Sequence, residues 1–151
     1  MIEIKVKSFE ALTIQELYQV LQLRSEVFVV EQDCVYQDLD GKDDKALHVL
    51  GFKNEKVIAY TRIFKPGDYF ELASIGRVVV AKNERLHKYG FDIMRASAEA
   101  IKQHFNETNI KISAQVYLKK FYNTLGYKEV GEGYLEDNIP HIAMIKNELA
   151  F

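Results

Sequence analysis

The segment 70–116 constrains the fold most, because its apolar residues change period twice within it. An extended run over about 70–80 ends in Val78-Val79-Val80. Phe91, Met94, Ala98, Ile101 and Phe105 then recur at spacings of three and four, one continuous stripe along a helix. After them Ile110, Ile112, Ala114 and Val116 alternate, the pattern of a half-buried strand. Leu118, Phe121, Tyr122 and Leu125 form a short amphipathic helix stopped by Gly126, a usual position for a left-handed C-terminal cap. The stretch therefore reads as a βαβα unit.

The flanks are richer in strands. Ile2, Ile4 and Val6 alternate with Glu3, Lys5 and Lys7. Apolar runs over 47–52 and 57–64 are joined by Lys53-Asn54-Glu55-Lys56, a hairpin-length connection. Two more strands fall near 127–130 and 139–145. Thr13-Ile14-Gln15-Glu16 is a capping box, and Leu17, Leu21 and Phe28 follow at helical spacing, so a helix is expected over about 13–28. Residues 31–44 are polar and acidic and read as a loop. Strands outnumber helices, which favours an α+β sheet covered by helices.

Composition removes several functions. The chain of 151 residues has 20 Lys and Arg against 22 Asp and Glu, a net charge of -2. That leaves no basic excess for a nucleic-acid partner. Cys34 is the single cysteine, which excludes an intrachain disulfide and fits a reducing compartment. No apolar run approaches the ~18 residues of a membrane span, and the N-terminus alternates charge with Ile and Val instead of resembling a signal peptide. Two prolines and eight scattered glycines leave no linker. The expectation is one cytoplasmic domain over 1–151, with no membrane partner.

Familiar site motifs fail in turn. There is no P-loop; Gly131-Glu132-Gly133 has Glu136 where a dinucleotide loop needs its third glycine. Asp38-Leu39-Asp40-Gly41 opens like a calcium loop, but its glycine comes two places early. His48, His87, His104 and His141 form no His-x3-His or His-x-Glu pair, so no metal site is expected.

Residues 80–90 are different. They join the apolar strand to the strongest helix and gather Lys82, Arg85 and Lys88 against Glu84 alone. A helix start offers free backbone N–H groups and the positive end of the dipole. Basic residues are disfavoured there, so three of them point to a compensating anion; the plainer alternative is a solvated helix end.

Arg85-Leu86-His87-Lys88-Tyr89-Gly90 resembles the Gln/Arg-x-x-Gly-x-Gly/Ala pyrophosphate loop of the GNAT superfamily of acyl-CoA-dependent N-acetyltransferases, with Lys88 in place of the first glycine. Gln115 and the run 121–127 are similar to the superfamily's tyrosine motif, with Gln115 where Asn is usual. The segments 24–32 and 34–44, His48 and the run 139–142 resemble the ElaA-type branch.

The resemblance implies a mixed, largely antiparallel sheet with splayed central strands, covered by helices. It implies acetyl-CoA as cosubstrate, with pantetheine along Val78, Val79 and Val80, and pyrophosphate over Arg85, Leu86, His87, Lys88, Tyr89 and Gly90. Gln115 would lie beside the pantetheine arm. Gly90 is expected to be glycine because a Cβ would crowd the phosphate. Tyr122 matches the residue that protonates or hydrogen-bonds the departing thiolate. A small amine or peptide would attack the thioester directly, through a tetrahedral intermediate. Glu31, His48 and His141 are candidates for the base that deprotonates it. Superfamily members often dimerise, so a homodimer is an open expectation. The alternative is a non-catalytic acyl-CoA sensor or interaction module on the same fold.

Six acids, Glu31, Asp33, Asp38, Asp40, Asp43 and Asp44, face one base, Lys42, over 31–44: a local net of -5. By resemblance this loop borders the acceptor. Asp40, Asp43 and Asp44 are expected to steer a cationic amine and Glu31 to contact it; the alternative is a solvated acidic loop.

Overall fold

The computed structural model describes residues 2–147. Strand β1 (Glu3–Ser8), β2 (Leu47–Lys53), β3 (Lys56–Phe64) and β4 (Ala73–Val80) form an antiparallel meander. Helix α2 (Tyr89–Phe105) crosses back, so β5 (Ile110–Gln115) lies parallel to β4. β7 (Ile139–Lys146) pairs antiparallel with both β5 and β6 (Tyr127–Glu136). The sheet order is β1-β2-β3-β4-β5-β7-β6, a mixed, mostly antiparallel sheet.

β4 and β5 pair only through Ala73–Ile110 and Ser74–Lys111. Beyond those residues the strands part. A bulge contributes: Tyr60 opposes Val79 and Arg62 opposes Gly76, so Thr61 faces two residues, Arg77 and Val78. Arg77 takes a φ of +49°, and such a bulge bends its strand and increases its twist.

Each face of the sheet carries a core. Ile93, Met94 and Ile101 of α2 pack with Val49, Ile63, Ile75 and Ile112. On the other face Val20 and Leu23 of helix α1 (Ile14–Arg24) pack with Leu50, Tyr60 and Val79. The buried stripe of α2 is Ile93, Met94, Ser97, Ala100 and Ile101, one step round from the expected Phe91–Ala98 line. Ser97 escapes an apolar count, but its hydroxyl donates to Ile93 O at 2.7 Å and lies 2.6 Å from Thr61 Oγ1, so it is buried without loss.

The capping box holds as expected: Thr13 Oγ1 accepts from Glu16 N, and Glu16 Oε1 accepts from Thr13 N. The helical path runs past residue 28, widening to π-helical winding over Ser25–Glu31. β6 is also longer than the expected 127–130; its outer half is exposed on both faces and carries no alternation to mark it as a strand. No helix among the described residues is long and apolar enough to cross a membrane.

The acidic loop is not a free surface. Arg24 and Arg62 are fully buried, and each needs carboxylates. Arg24 Nε donates to Asp38 Oδ2 and its Nη1 to Asp43 Oδ1, both at 2.8 Å. Arg62 Nη1 donates to Asp40 Oδ1 and Asp43 Oδ1 at 2.8 and 3.0 Å. Arg77 Nε lies 2.8 Å from Asp38 Oδ1. Burial alone would raise the Asp40 and Asp43 carboxyls; the guanidinium hydrogen bonds and charges overcome it and hold both below the ordinary range. Asp40 and Asp43 therefore pin the loop to the sheet instead of steering a cation, which corrects that expectation; Asp44 alone of the three is exposed.

Candidate active site

Where β4 and β5 part there is a cavity of about 490 Å³. Val78, Val79 and Val80 border it from β4, on the stretch whose β5-facing edge has no strand partner. Main-chain donors and acceptors are thus available to an extended ligand between the strands.

The basic loop closes one end. Residues Lys82–His87 make a 3-10 turn, and Lys88 then takes φ +60° before α2 begins. That left-handed conformation is one that glycine adopts freely, which explains why the family pattern has glycine there. Arg85, Lys88 and Gly90 border the cavity, whereas Leu86 and His87 are exposed and Tyr89 is buried in the core. A Cβ on Gly90 would lie 3.3 Å from Phe121 Cζ. The visible reason for this glycine is thus the neighbouring ring, in addition to any phosphate.

Arg85 is engaged at both sides of its guanidinium. Nε donates to Val80 O at 3.1 Å, while Nη1 and Nη2 donate to Glu31 Oε2 and Oε1 at 2.6 and 2.8 Å. Those hydrogen bonds lower the Glu31 carboxyl from its usual value, against a smaller opposing effect of burial. Held so, Glu31 is a poor base.

Tyr122, on helix α3 (Lys119–Thr124), is only 5% exposed and lines the cavity beside Phe121. Burial, with Tyr117 adding to it, pushes its phenol well above the ordinary value. Gln115 borders the cavity too, but its amide exchanges hydrogen bonds with Gln32 at 3.3 and 3.4 Å.

His48 does not reach the cavity. It is 1% exposed, its Nδ1 against the Tyr60 hydroxyl and its Nε2 2.9 Å from Asp43 O. The carbonyl fixes the hydrogen on Nε2, and burial lowers the ring's affinity for a second proton. The segment match flagged it, but its job is to tie the acidic loop to β3, so it is withdrawn as a base. His141 does reach the cavity, with Nδ1 2.7 Å from Ile139 O and Nε2 3.4 Å from Glu136 Oε2. Ser113, Tyr134 and Glu136, none of them a site candidate in the sequence, join it through the β5–β7–β6 pairing. Cys34 forms part of the wall, its thiol 3.2 Å from Asp137 O. Among the described residues no group of three or more His, Cys, Asp or Glu could hold a metal ion.

A mixed sheet parted at its parallel seam, with a basic turn opening the following helix, is the arrangement that the resemblance implies. Residues 10–148 match the acetyltransferase (GNAT) domain family, and the chain belongs to it. It is 42% identical to protein ElaA of Escherichia coli over 148 residues, 97% of each chain, and the crystal structure of ElaA superposes with a TM-score of 0.90. An acyl-CoA N-acyltransferase of Pseudomonas aeruginosa is similar at 37% identity, TM-score 0.91, over 97% of this chain and 100% of that one. An aminoglycoside 6'-N-acetyltransferase solved with coenzyme A shares the fold at 15% identity, TM-score 0.71, over 94% and 96% of the two chains.

Proposed function

We propose that the protein moves an acetyl group from acetyl-CoA to an amine, in the cytoplasm, where Cys34 stays reduced. The observation that carries this is Tyr122: a buried phenol lining the cavity between the unpaired edge of β4 and the Arg85–Gly90 turn. The residues present suit the cosubstrate. Val78, Val79 and Val80 would bond pantetheine through the main chain, and Arg85 and Lys88 would meet its phosphates, with Gly90 leaving room beside them. Gln115 would lie alongside, once released by Gln32.

Tyr122 hydrogen-bonds the sulfur as negative charge grows on it. An ordinary phenol (pKa ~10) is a weaker acid than a thiol (~8.5), a gap of about 2 kcal/mol. Burial widens that gap, so Tyr122 acts chiefly by solvating the thiolate and passing a proton late. For the amine's proton, His141 is the candidate with a ring nitrogen available in the cavity.

Amine-dependent release of free CoA tests the reading. Tyr122→Phe should slow it by roughly 10- to 1,000-fold while leaving CoA affinity unchanged. CoA binding with no amine-dependent release would favour a non-catalytic sensor instead.

A further inference from the structure

The β6–β7 hairpin carries a polar cluster at the end of the cavity away from the basic turn. His141 is only 6% exposed. Its Nδ1 faces a carbonyl, Ile139 O, which can only accept, so Nδ1 bears the hydrogen and the neutral ring keeps its lone pair on Nε2. Nε2 in turn faces Glu136 Oε2 at 3.4 Å, a second acceptor. The other carboxylate oxygen, Oε1, lies 3.4 Å from Ser113 Oγ, which also meets the Tyr134 hydroxyl. The Tyr134 ring stacks on His141, centroids 6.2 Å apart. Two facing acceptors are satisfied together by a proton on the ring or by a donor with more than one hydrogen, such as a primary ammonium ion or a water molecule.

Charge along the cavity agrees. Arg77 is paired with Asp38, and Arg85 with Glu31, which leaves Lys88 as the cation of the wall without an ion-pair partner among the described residues. Among the described residues Glu136 and Asp137 have no Lys or Arg partner in any ion pair. Uncompensated positive charge thus sits at the α2 end and negative charge at the hairpin end.

We infer that the hairpin end receives the acceptor as a compact primary ammonium ion, positioned by Glu136, with His141 Nε2 taking its proton. The inference rests on the transferase reading. One proton passes from the ammonium to Nε2, and Glu136 stabilises the resulting imidazolium. The freed lone pair adds to the thioester carbonyl carbon to form the C–N bond of a tetrahedral intermediate, whose collapse breaks the C–S bond. A second nitrogen-bound proton, exchanged through the Tyr122 hydroxyl, ends on sulfur. His141 then returns its proton to solvent. Glu136 acts by orientation and charge, and Ser113 and Tyr134 hold it and the ring in place.

The test is nitrogen NMR of the imidazole side chains with CoA present, titrated with 1,4-diaminobutane at constant ionic strength. The neutral His141 ring should show the Nδ1–H tautomer, and its signals should move saturably with the diamine. Glu136→Gln should weaken that response about tenfold, and Glu136→Asp should restore part of it. An Nε2–H tautomer, a His141 signal indifferent to the diamine, or an equal response in Glu136→Gln would overturn the inference. Shifts of Tyr122 on adding CoA report separately: a CoA response without a diamine response sinks this inference alone, and no CoA response sinks the transferase reading with it.

Discussion

If Arg85 gives the N–H groups it now shares with Glu31 to a phosphate, as proposed, it releases Glu31, so Glu31 would compete with the cosubstrate. Replacing Glu31 with Gln removes the competitor and keeps the shape. The two hydrogen bonds are short, but the side chains are 39% and 28% exposed, so the pair contributes what an accessible ion pair does. Such pairs are worth about 0.2–1 kcal/mol, and a two-pronged geometry belongs in the upper half of that range. Glu31→Gln should therefore tighten CoA binding about two- to fivefold by calorimetry at physiological salt. Deleting a negative charge within a Debye length, about 8 Å, of an anionic ligand also helps. Arg85→Gln separates the two effects. It should weaken binding, and in its background Glu31→Gln should gain only the smaller, through-space part. An equal gain in both backgrounds, or none in the wild type, would refute the competition.

Asp43 serves two buried guanidinium groups, so Asp43→Asn should cost about 3–5 kcal/mol in denaturant unfolding, and a loss under ~1 would contradict the pairing. Because the Asp40 and Asp43 carboxyls are depressed in the folded state, their contribution is complete above about pH 4 and is lost as pH falls through the depressed values. Wild-type stability should thus fall steeply in acid, and that of Asp43→Asn less so. Lys88→Gly relieves a left-handed residue, a cost of about 1–2 kcal/mol, against ~0.5–1 for glycine's freedom in the unfolded chain. It should raise the melting temperature slightly while weakening CoA binding; a lower melting temperature would show that the turn is not strained. In Gly90→Ala a gain in helix propensity of ~1 kcal/mol offsets a displaced Phe121, so stability should barely change while turnover drops several-fold through Tyr122; unchanged turnover would mean Phe121 yields the other way.

Local pattern was enough for the strands other than the outer half of β6, the capped start of α1 and the crossover helix, because each rests on neighbours along the chain. It was not enough where partners are remote. The loop acids look like a solvent-facing cluster until Arg24 and Arg62 arrive from 19 and 22 residues away, and nothing in the spacing announces that. His48 and His141 are alike as letters; one is sealed beside Tyr60, and the other opens on the cavity because of the β5–β7 pairing. Glu136 lies in a stretch with no alternation, so neither its strand nor its neighbour Ser113 was legible. The basic turn was legible for the opposite reason: strand, turn and helix are contiguous there.

Two residue pairs are all that join β4 to β5, and they lie at one end. Mechanically the sheet is a pair of leaves on a short hinge, β1–β4 on one side and β5–β7–β6 on the other. Amide exchange should therefore be uneven along single strands, slow near Ser74 and Lys111 and faster toward Val80 and Gln115. An extended molecule bonded to both leaves would act as a splint, slowing exchange on both together even where it touches only one. Tension applied across the leaves would open the sheet from the cavity end, where no ladder resists it.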